Sequence, residues 1–178
     1  MNLKLAAIPV AALGLMMATA GHPGTSDGGV GGPPPNRLVW PLDAWIETQA
    51  YGCTLFALEP VASWCPSGHF HSGIDMAAPA GTIVHAAAGG RVRVGWNPGG
   101  YGLFVTLDHG SGISTLYAHL EATSLLDGDT VESGGEVGRV GSTGLSTGPH
   151  LHFEVRRDGR PVDPNPWLPA RSDDEVAT

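Results

Sequence analysis

The segment GPHLHFEV, residues 148–155, alternates polar and apolar side chains from its first histidine onward. A period of two is typical of a β-strand, in which successive side chains point to opposite faces. His150, His152 and Glu154 would then share one face, while the intervening leucine, phenylalanine and valine face the core. The pattern predicts a strand that carries two imidazoles about 6–7 Å apart at Cα.

Short β-like runs separated by glycine turns make up most of the remaining sequence. The 178 residues include 27 glycines and 15 prolines. Residues 101–120 and 150–164 are typical of hairpins that turn at Asp108–Gly112 and at Asp158–Gly159. No stretch holds a period of 3.6 for three turns. We therefore predict an all-β fold: a single compact domain of antiparallel sheets with many glycine turns and little helix.

Both ends of the chain differ in composition from this region. Residues 1–20 combine a short positive start, an apolar run and an A-x-A sequence that ends at Ala20, which predicts a secretory signal peptide. The apolar run is short for a membrane span of about 20 residues. We predict a Gly/Pro-rich linker at 21–37, the folded domain at 38–170 and an acidic tail at 171–178. The mature protein would be secreted or periplasmic, in the cell envelope, with no integral membrane segment.

The two cysteines, Cys53 and Cys65, fit an exported protein. In an oxidising compartment a close pair of cysteines predicts a disulfide. Metal binding through the two thiolates is the alternative, but the spacing is far from C-x-x-C.

A second polar cluster lies in HFHSGID, residues 69–75. His71 and Asp75 are four positions apart, so in one extended segment they would share a face. Imidazole and carboxylate are zinc ligands. Together with one histidine of the H-x-H pair they would give three protein ligands and leave a fourth position for water, which is typical of catalytic zinc.

Three motifs in the same order resemble a known family. HSGID (71–75), YAHL (117–120) and GSTGLSTGPHLHFEV (141–155) are similar to the M23 metallopeptidases, the lysostaphin- and LytM-like peptidoglycan endopeptidases. The resemblance runs from about Phe70 to Trp167. It implies three Zn²⁺ ligands and two catalytic histidines: His71, Asp75 and His152 on the metal, His119 and His150 at the reacting bond.

The implied function is a secreted zinc metalloendopeptidase that hydrolyses peptide bonds in the stems or cross-bridges of peptidoglycan. The sequence contains no HExxH, so a histidine beside the zinc-bound water is the natural general base. We assign His150 as the base and His119 as the stabiliser of the oxyanion, although the two could exchange roles. The expected partner is peptidoglycan, and the protein is expected to be a monomer. The net charge of −8 argues against nucleic acid.

Two other functions stay open at this point. One is a non-catalytic module on the same fold that binds cell wall or activates a hydrolase. The other is a closed structural metal site, for which His69 is the available fourth ligand. Four aromatic residues could line a groove, although core packing is the favoured interpretation for each: Trp64, Trp96, Tyr101 and Tyr117. Glu154 would either contact a ligand or be exposed on the sheet.

Overall fold

The computed structural model describes residues 38–171. The predicted signal peptide, the predicted linker and residues 172–178 of the predicted tail lie outside the described residues. Within 38–171 there are twelve strands and one 3₁₀ turn. In chain order these are β1 (Ile46–Gln49), β2 (Gly52–Thr54), β3 (His69–His71), β4 (Ile74–Ala77), β5 (Ile83–His85), β6 (Gly90–Asn97), β7 (Gly102–Gly110), β8 (Ile113–Ala122), β9 (Thr130–Val131), β10 (Glu136–Val140), β11 (His150–Arg157), β12 (Arg160–Val162) and the turn Asn165–Trp167.

Ten of these strands form one sheet. Its main path runs β1-β4-β11-β8-β7-β6-β9, with β12 paired to β11 and with β10 paired to β5 and β8. Strands β2 and β3 form a separate two-stranded sheet. Every pairing is antiparallel, so the all-β prediction is confirmed.

The predicted alternation in β11 decides where the core lies. Leu151, Phe153 and Val155 are fully buried in the main hydrophobic cluster. The opposite face of β11 is closed as well, because His152 and Glu154 are also buried. A polar face without solvent must satisfy its hydrogen bonds internally. This strand therefore carries both the core and a buried polar layer.

Two tight turns fix the register of the central strands. The β7–β8 turn uses Ser111 and Gly112, and the β11–β12 turn uses Asp158 and Gly159, all with positive φ. Two-residue hairpin turns of this kind require φ above zero at both positions, which glycine and aspartate tolerate. Both turns lie where the sequence predicts them.

The region before β4 differs from the sequence prediction in one respect. His71 and Asp75 do not lie in one extended strand, because β3 ends at His71 and β4 begins at Ile74. The break at Ser72–Gly73 allows the chain to leave the small sheet and join the large one. It still leaves both polar side chains on the same side of the domain.

The small sheet is closed by a disulfide. Cys53 is bonded to Cys65, and β2 pairs with β3 so that Gly52 lies opposite His71. The bridge therefore joins the loop that contains Cys65 to β2, which pairs with the strand that carries His71. Between residues 38 and 171, no helix has the length and apolar character needed to cross a membrane.

Replacing both cysteines with serine should lower the free energy of unfolding. The bond spans 12 positions, and closing a loop of this size is worth about 3 kcal/mol through the entropy of the unfolded chain. Urea unfolding of the oxidised protein and of the double variant measures the difference. A difference in unfolding free energy below about 0.5 kcal/mol would mean that the disulfide adds no effective constraint to the unfolded chain.

Candidate metal centre

Three polar side chains converge where β3, β4 and β11 meet. The pairing of β4 with β11 sets Asp75 directly opposite His152, and His71 ends β3 beside them. Nδ1 of His152 lies 2.9 Å from Oδ1 of Asp75 and 3.0 Å from Nε2 of His71. Nε2 of His71 lies 3.1 Å from the same Asp75 oxygen. One ligand atom from each residue is within 4.8 Å of the other two, so the group could hold a metal ion.

The outer hydrogen bonds of the two imidazoles determine which nitrogens carry protons. Nδ1 of His71 donates to the carbonyl of Ala50 at 2.9 Å, because a carbonyl can only accept. Nε2 of His152 donates to the carboxylate of Glu154 at 3.1 Å. When both rings are neutral, each inward nitrogen therefore carries a lone pair that faces an oxygen of Asp75. Three acceptors this close together require a cation between them, and this donor set fits zinc.

The charge states of this cluster follow from the same contacts. Burial opposes the charged form of His152, but hydrogen bonds to Asp75 and Glu154 raise its pKa to about 9. Burial also opposes the charged form of Asp75, yet hydrogen bonds from His152 and His71 hold the pKa of this carboxyl well below its usual range. Without a metal ion, a proton on His152 supplies the positive charge. A metal ion would displace this proton.

Two further histidines lie beside the cluster. The rings of His119 and His150 have centroids 4.7 Å apart. Each ring donates its Nδ1 proton to a backbone carbonyl at 2.8 Å, that of Thr143 for His119 and that of Gly148 for His150. In the neutral rings Nε2 is therefore a lone pair. Nε2 of His150 lies 3.6 Å from the outer oxygen of Asp75.

His119 is held in an unusual backbone conformation. Its φ is +60°, in the left-handed region that a residue with a side chain seldom adopts. The pairing of β7 with β8 is irregular at this point, and the His119 amide donates instead to the carbonyl of Tyr101 at 2.8 Å. Strain of this kind persists where surrounding contacts fix a side chain for function. Burial, together with the positive forms of His150 and His152, lowers the pKa of His119 to about 4 despite the Thr143 hydrogen bond.

A groove of about 960 Å³ opens onto these side chains. Its lining includes Asp75, His119, His150 and His152, and its other charged lining residue is Glu59. No lysine or arginine is among the lining residues that the structure describes. Besides the strands and Ser72, three segments contribute to the lining: residues 54–60, within the disulfide loop, residues 99–101, between β6 and β7, and residues 145–150, before and into β11. A partly open groove of this size can accept a segment of a larger substrate.

Glu154 is the residue whose role the sequence left open. It is fully buried rather than exposed, and it accepts hydrogen bonds from Ser72, Tyr101, His152 and Arg156. Burial opposes its ionised form, but the hydrogen bonds and charges of His152 and Arg156 lower its pKa to about 2. The signal in the sequence is that the polar alternation of β11 continues through Glu154 to Arg156.

Two of the other histidines within residues 38–171, His69 and His109, serve the scaffold. Nδ1 of His69 hydrogen-bonds the carbonyl of Glu59 at 2.7 Å, and His69 does not belong to the cluster of possible metal ligands. His109 is buried in β7, between the carbonyl of Gly89 and the hydroxyl of Thr115.

The aromatic side chains divide into three groups. Tyr101 lines the groove, and Tyr117 is buried in the core. Trp64 and Trp96 are 68% and 61% exposed. Core packing is therefore wrong for both tryptophans, and neither lines the groove. Period-two alternation cannot reveal this: Trp64 lies in a turn, where no face is assigned, and for Trp96 in β6 alternation assigns a face but not how far that face is covered.

An antiparallel domain whose open groove meets two imidazoles and a carboxylate has the architecture of a metallopeptidase domain. The sequence matches the model of peptidase family M23 over residues 69–164. The chain belongs to peptidase family M23. The groove segment 54–60 and the disulfide lie before the matched residues.

Curated relatives and a solved structure extend the comparison. Over 94 residues the chain is 53% identical to the DD-carboxypeptidase/endopeptidase Mpg of Neisseria meningitidis serogroup B (53% of this chain, 22% of the relative). Over 96 residues it is 41% identical to the murein hydrolase activator EnvC of Escherichia coli K12 (54% of this chain, 23% of the relative). A crystal structure of a zinc-containing peptidase from Vibrio cholerae superimposes with a TM-score of 0.60 and 31% identity (73% of this chain, 40% of the other). The chain thus spans about a fifth of the length of these curated relatives.

Substituting Gly73 with alanine should disturb the contact between β4 and β11. A Cβ at this position would lie 2.3 Å from the carbonyl oxygen of Phe153 and 3.0 Å from the ring of His152. Forcing in an extra methyl group of this kind costs about 1–3 kcal/mol. Here it would also displace His152, one of the three possible metal ligands. Chemical unfolding and zinc titration would show reduced stability and weaker binding. The control is Gly99→Ala, whose methyl group comes no closer than 4.0 Å to the nearest atom; equal behaviour of the two variants would refute the close approach.

The ring of His119 should remain neutral throughout the neutral pH range. Its pKa in the metal-free fold, about 4, lies below the value of 6.5 expected when unfolded. Between these two values the unfolded chain binds the proton more tightly, so the stability from this ring is lost as pH falls from 6.5 towards 4. NMR titration of the ring protons measures the pKa directly. Titration at or above pH 6.5 would contradict the buried, neutral ring.

Proposed function

We propose that the chain is an exported zinc metalloendopeptidase that hydrolyses peptide bonds in the stems or cross-bridges of peptidoglycan. One observation carries the proposal. Three side chains that can act as metal ligands converge on one point, and two more imidazoles, whose Nδ1 atoms are hydrogen-bonded to backbone carbonyls, line the adjoining groove. This separates residues that would hold a metal from residues that would move protons.

In this proposal His71, Asp75 and His152 hold the zinc ion. When bound, zinc supplies a Lewis acid that acidifies water and polarises a carbonyl group. The three residues leave one side of the cluster open to the groove, as a catalytic site requires. The structure of the Vibrio cholerae relative, described as zinc-containing, supports the choice of metal.

His150 is the proposed general base. Its Nδ1 proton is held by the Gly148 carbonyl, so Nε2 accepts the proton of the attacking water. The outer oxygen of Asp75, 3.6 Å away, then stabilises the imidazolium. The same proton can later pass to the leaving amine.

His119 is the proposed stabiliser of the tetrahedral oxyanion. As a neutral ring that donates Nδ1 to Thr143, it presents a lone pair at Nε2. It can donate to an oxyanion only after it takes up a proton. The ring of His119 lies beside that of His150. A proton taken from water could therefore reside on either of the two rings. The strained backbone at His119 keeps the ring in place for this step.

The substrate and location rest on the relatives and on the sequence. Mpg is named a DD-carboxypeptidase/endopeptidase, and the partly open groove can accept a segment of a larger substrate. Export rests on the predicted signal peptide, which lies outside the described residues. An exported enzyme would meet its substrate in the cell envelope.

A second candidate function is a module that activates a separate murein hydrolase. The similarity to EnvC supports it. The full set of possible ligands and proton carriers in one groove favours catalysis instead. Purified peptidoglycan incubated with the protein alone discriminates the two, because only an enzyme releases new muropeptide ends without a second hydrolase.

Removal of a ligand and removal of a proton carrier should have different effects. We expect Asp75→Ala to lose both zinc and activity. We expect His150→Ala and His119→Ala each to keep zinc while losing about 10²–10⁴-fold in turnover. Elemental analysis gives the zinc content, and mass spectrometry of released muropeptides gives the turnover and the bond cut.

His85→Ala is the matched control, because His85 lies outside the groove lining. Its side chain hydrogen-bonds the carbonyl of Gly134 at 3.0 Å and faces Asp43. This variant should keep both zinc and turnover. Zinc lost from His150→Ala but retained by His152→Ala would reverse the assignment of these two histidines. Full turnover in both proton-carrier variants would overturn the catalytic roles assigned to His119 and His150.

A further inference from the structure

One carboxylate connects His152, the proposed metal ligand, to the groove. Oε1 of Glu154 accepts from Ser72 Oγ at 2.5 Å, from Tyr101 Oη at 2.6 Å and from His152 Nε2 at 3.1 Å. Its other oxygen, Oε2, accepts from Arg156 Nε at 2.5 Å. Glu154 is fully buried, yet its oxygens accept four hydrogen bonds.

Arg156 supplies the opposite charge. Besides its bond to Oε2, it donates from a terminal nitrogen to Tyr101 Oη at 3.1 Å, and its guanidinium lies 5.9 Å from the centre of that ring. A buried carboxylate without such partners would be neutral or strongly destabilising. The pair keeps Glu154 an ionised, acceptor-only group in a fixed orientation.

An acceptor-only neighbour restricts the imidazole of His152. A neutral imidazole carries one proton, and the neighbour of one nitrogen decides which nitrogen carries it. With Glu154 at Nε2, the proton stays there and the lone pair of Nδ1 points to Asp75 and His71.

We propose that Glu154 is a positioning residue that fixes the tautomer and ring orientation of His152 and thereby sets metal affinity. The proposal rests on the proposed zinc function. Ser72 and Tyr101 both line the groove, so the same carboxylate also ties two groove residues to the ligand. Glu154 acts through His152 and does not itself reach the substrate.

The test is the variant Glu154→Gln. The amide keeps the shape, but it has only one acceptor oxygen for four donors. With its oxygen turned to Arg156, its NH₂ group faces Nε2 of His152 and favours the wrong tautomer. We expect zinc affinity to fall 10–100-fold, measured by competition with a chelator at fixed pH. The control is Glu132→Gln, which removes an exposed carboxylate from the turn before β10 and should leave affinity unchanged.

A second readout separates positioning from a purely structural role. In the zinc-loaded wild type, ¹H–¹⁵N NMR of the histidine rings should show the His152 proton on Nε2 and the metal on Nδ1. In the zinc-loaded Glu154→Gln protein the metal still keeps this proton on Nε2, so the expected change is an upfield shift and faster exchange of its signal, because the hydrogen bond to the carboxylate is lost, while circular dichroism stays native. A role limited to packing would lower the melting temperature without changing the shift or exchange of this proton.

Each outcome distinguishes two claims. Wild-type protein that binds no zinc would overturn the proposed function. Wild-type protein that binds zinc while Glu154→Gln binds it equally well, with the same ring signal, would overturn only the role of Glu154. If Glu154→Gln does not fold, the wild-type spectrum still decides, because a proton on Nδ1 of His152 contradicts the proposal. The double variant Ser72→Ala with Tyr101→Phe, which leaves Glu154 paired to Arg156, should then retain the Nε2 proton.

Discussion

The antiparallel contact between β4 and β11 is the constraint on which the rest of the site depends. It sets Asp75 opposite His152, and the absence of a side chain at Gly73 allows the two strands to approach at this point. On its other edge β11 pairs with β8, which places Ala118 opposite His152 and brings the next residue, His119, to the same groove. A one-residue slip in either pairing would turn the polar side chains into the core.

Charge balance explains why β11 can bury so many polar groups. Along one face, His150, His152, Glu154 and Arg156 follow each other at every second position. Within this column Glu154 accepts hydrogen bonds from both His152 and Arg156, and Asp75 of the neighbouring strand faces His150 and His152. The converging acceptors at His71, Asp75 and His152 are the one place where the balance needs a cation. A metal ion at that point would supply this charge, which is the physical basis of the proposal that the chain is a zinc enzyme.

Local pattern predicted a large part of this arrangement. The alternation in HLHFEV gave the correct buried face, and the glycine turns gave two hairpins in place. The grouping of His71 with Asp75 and His152 needed the family resemblance, because strand pairing over 77 positions, from Asp75 to His152, leaves no local signal. The position of His119 depends on an irregular strand pairing and a positive φ. Neither can be read from the alternation of polar and apolar residues in the sequence. The burial of Glu154 could not be predicted either, since alternation assigns a face but not what covers it. The same gap accounts for the exposed Trp96 in β6, whereas Trp64 lies in a turn, where alternation assigns no face.

X-ray absorption spectroscopy of the zinc-loaded protein tests the central claim most directly, because it counts the imidazoles on the metal. The account predicts one zinc per chain with two imidazole nitrogens at about 2.0–2.1 Å and oxygen in the remaining positions. Three or more imidazoles, or any sulfur ligand, would contradict the division of the groove into metal-holding and proton-moving histidines.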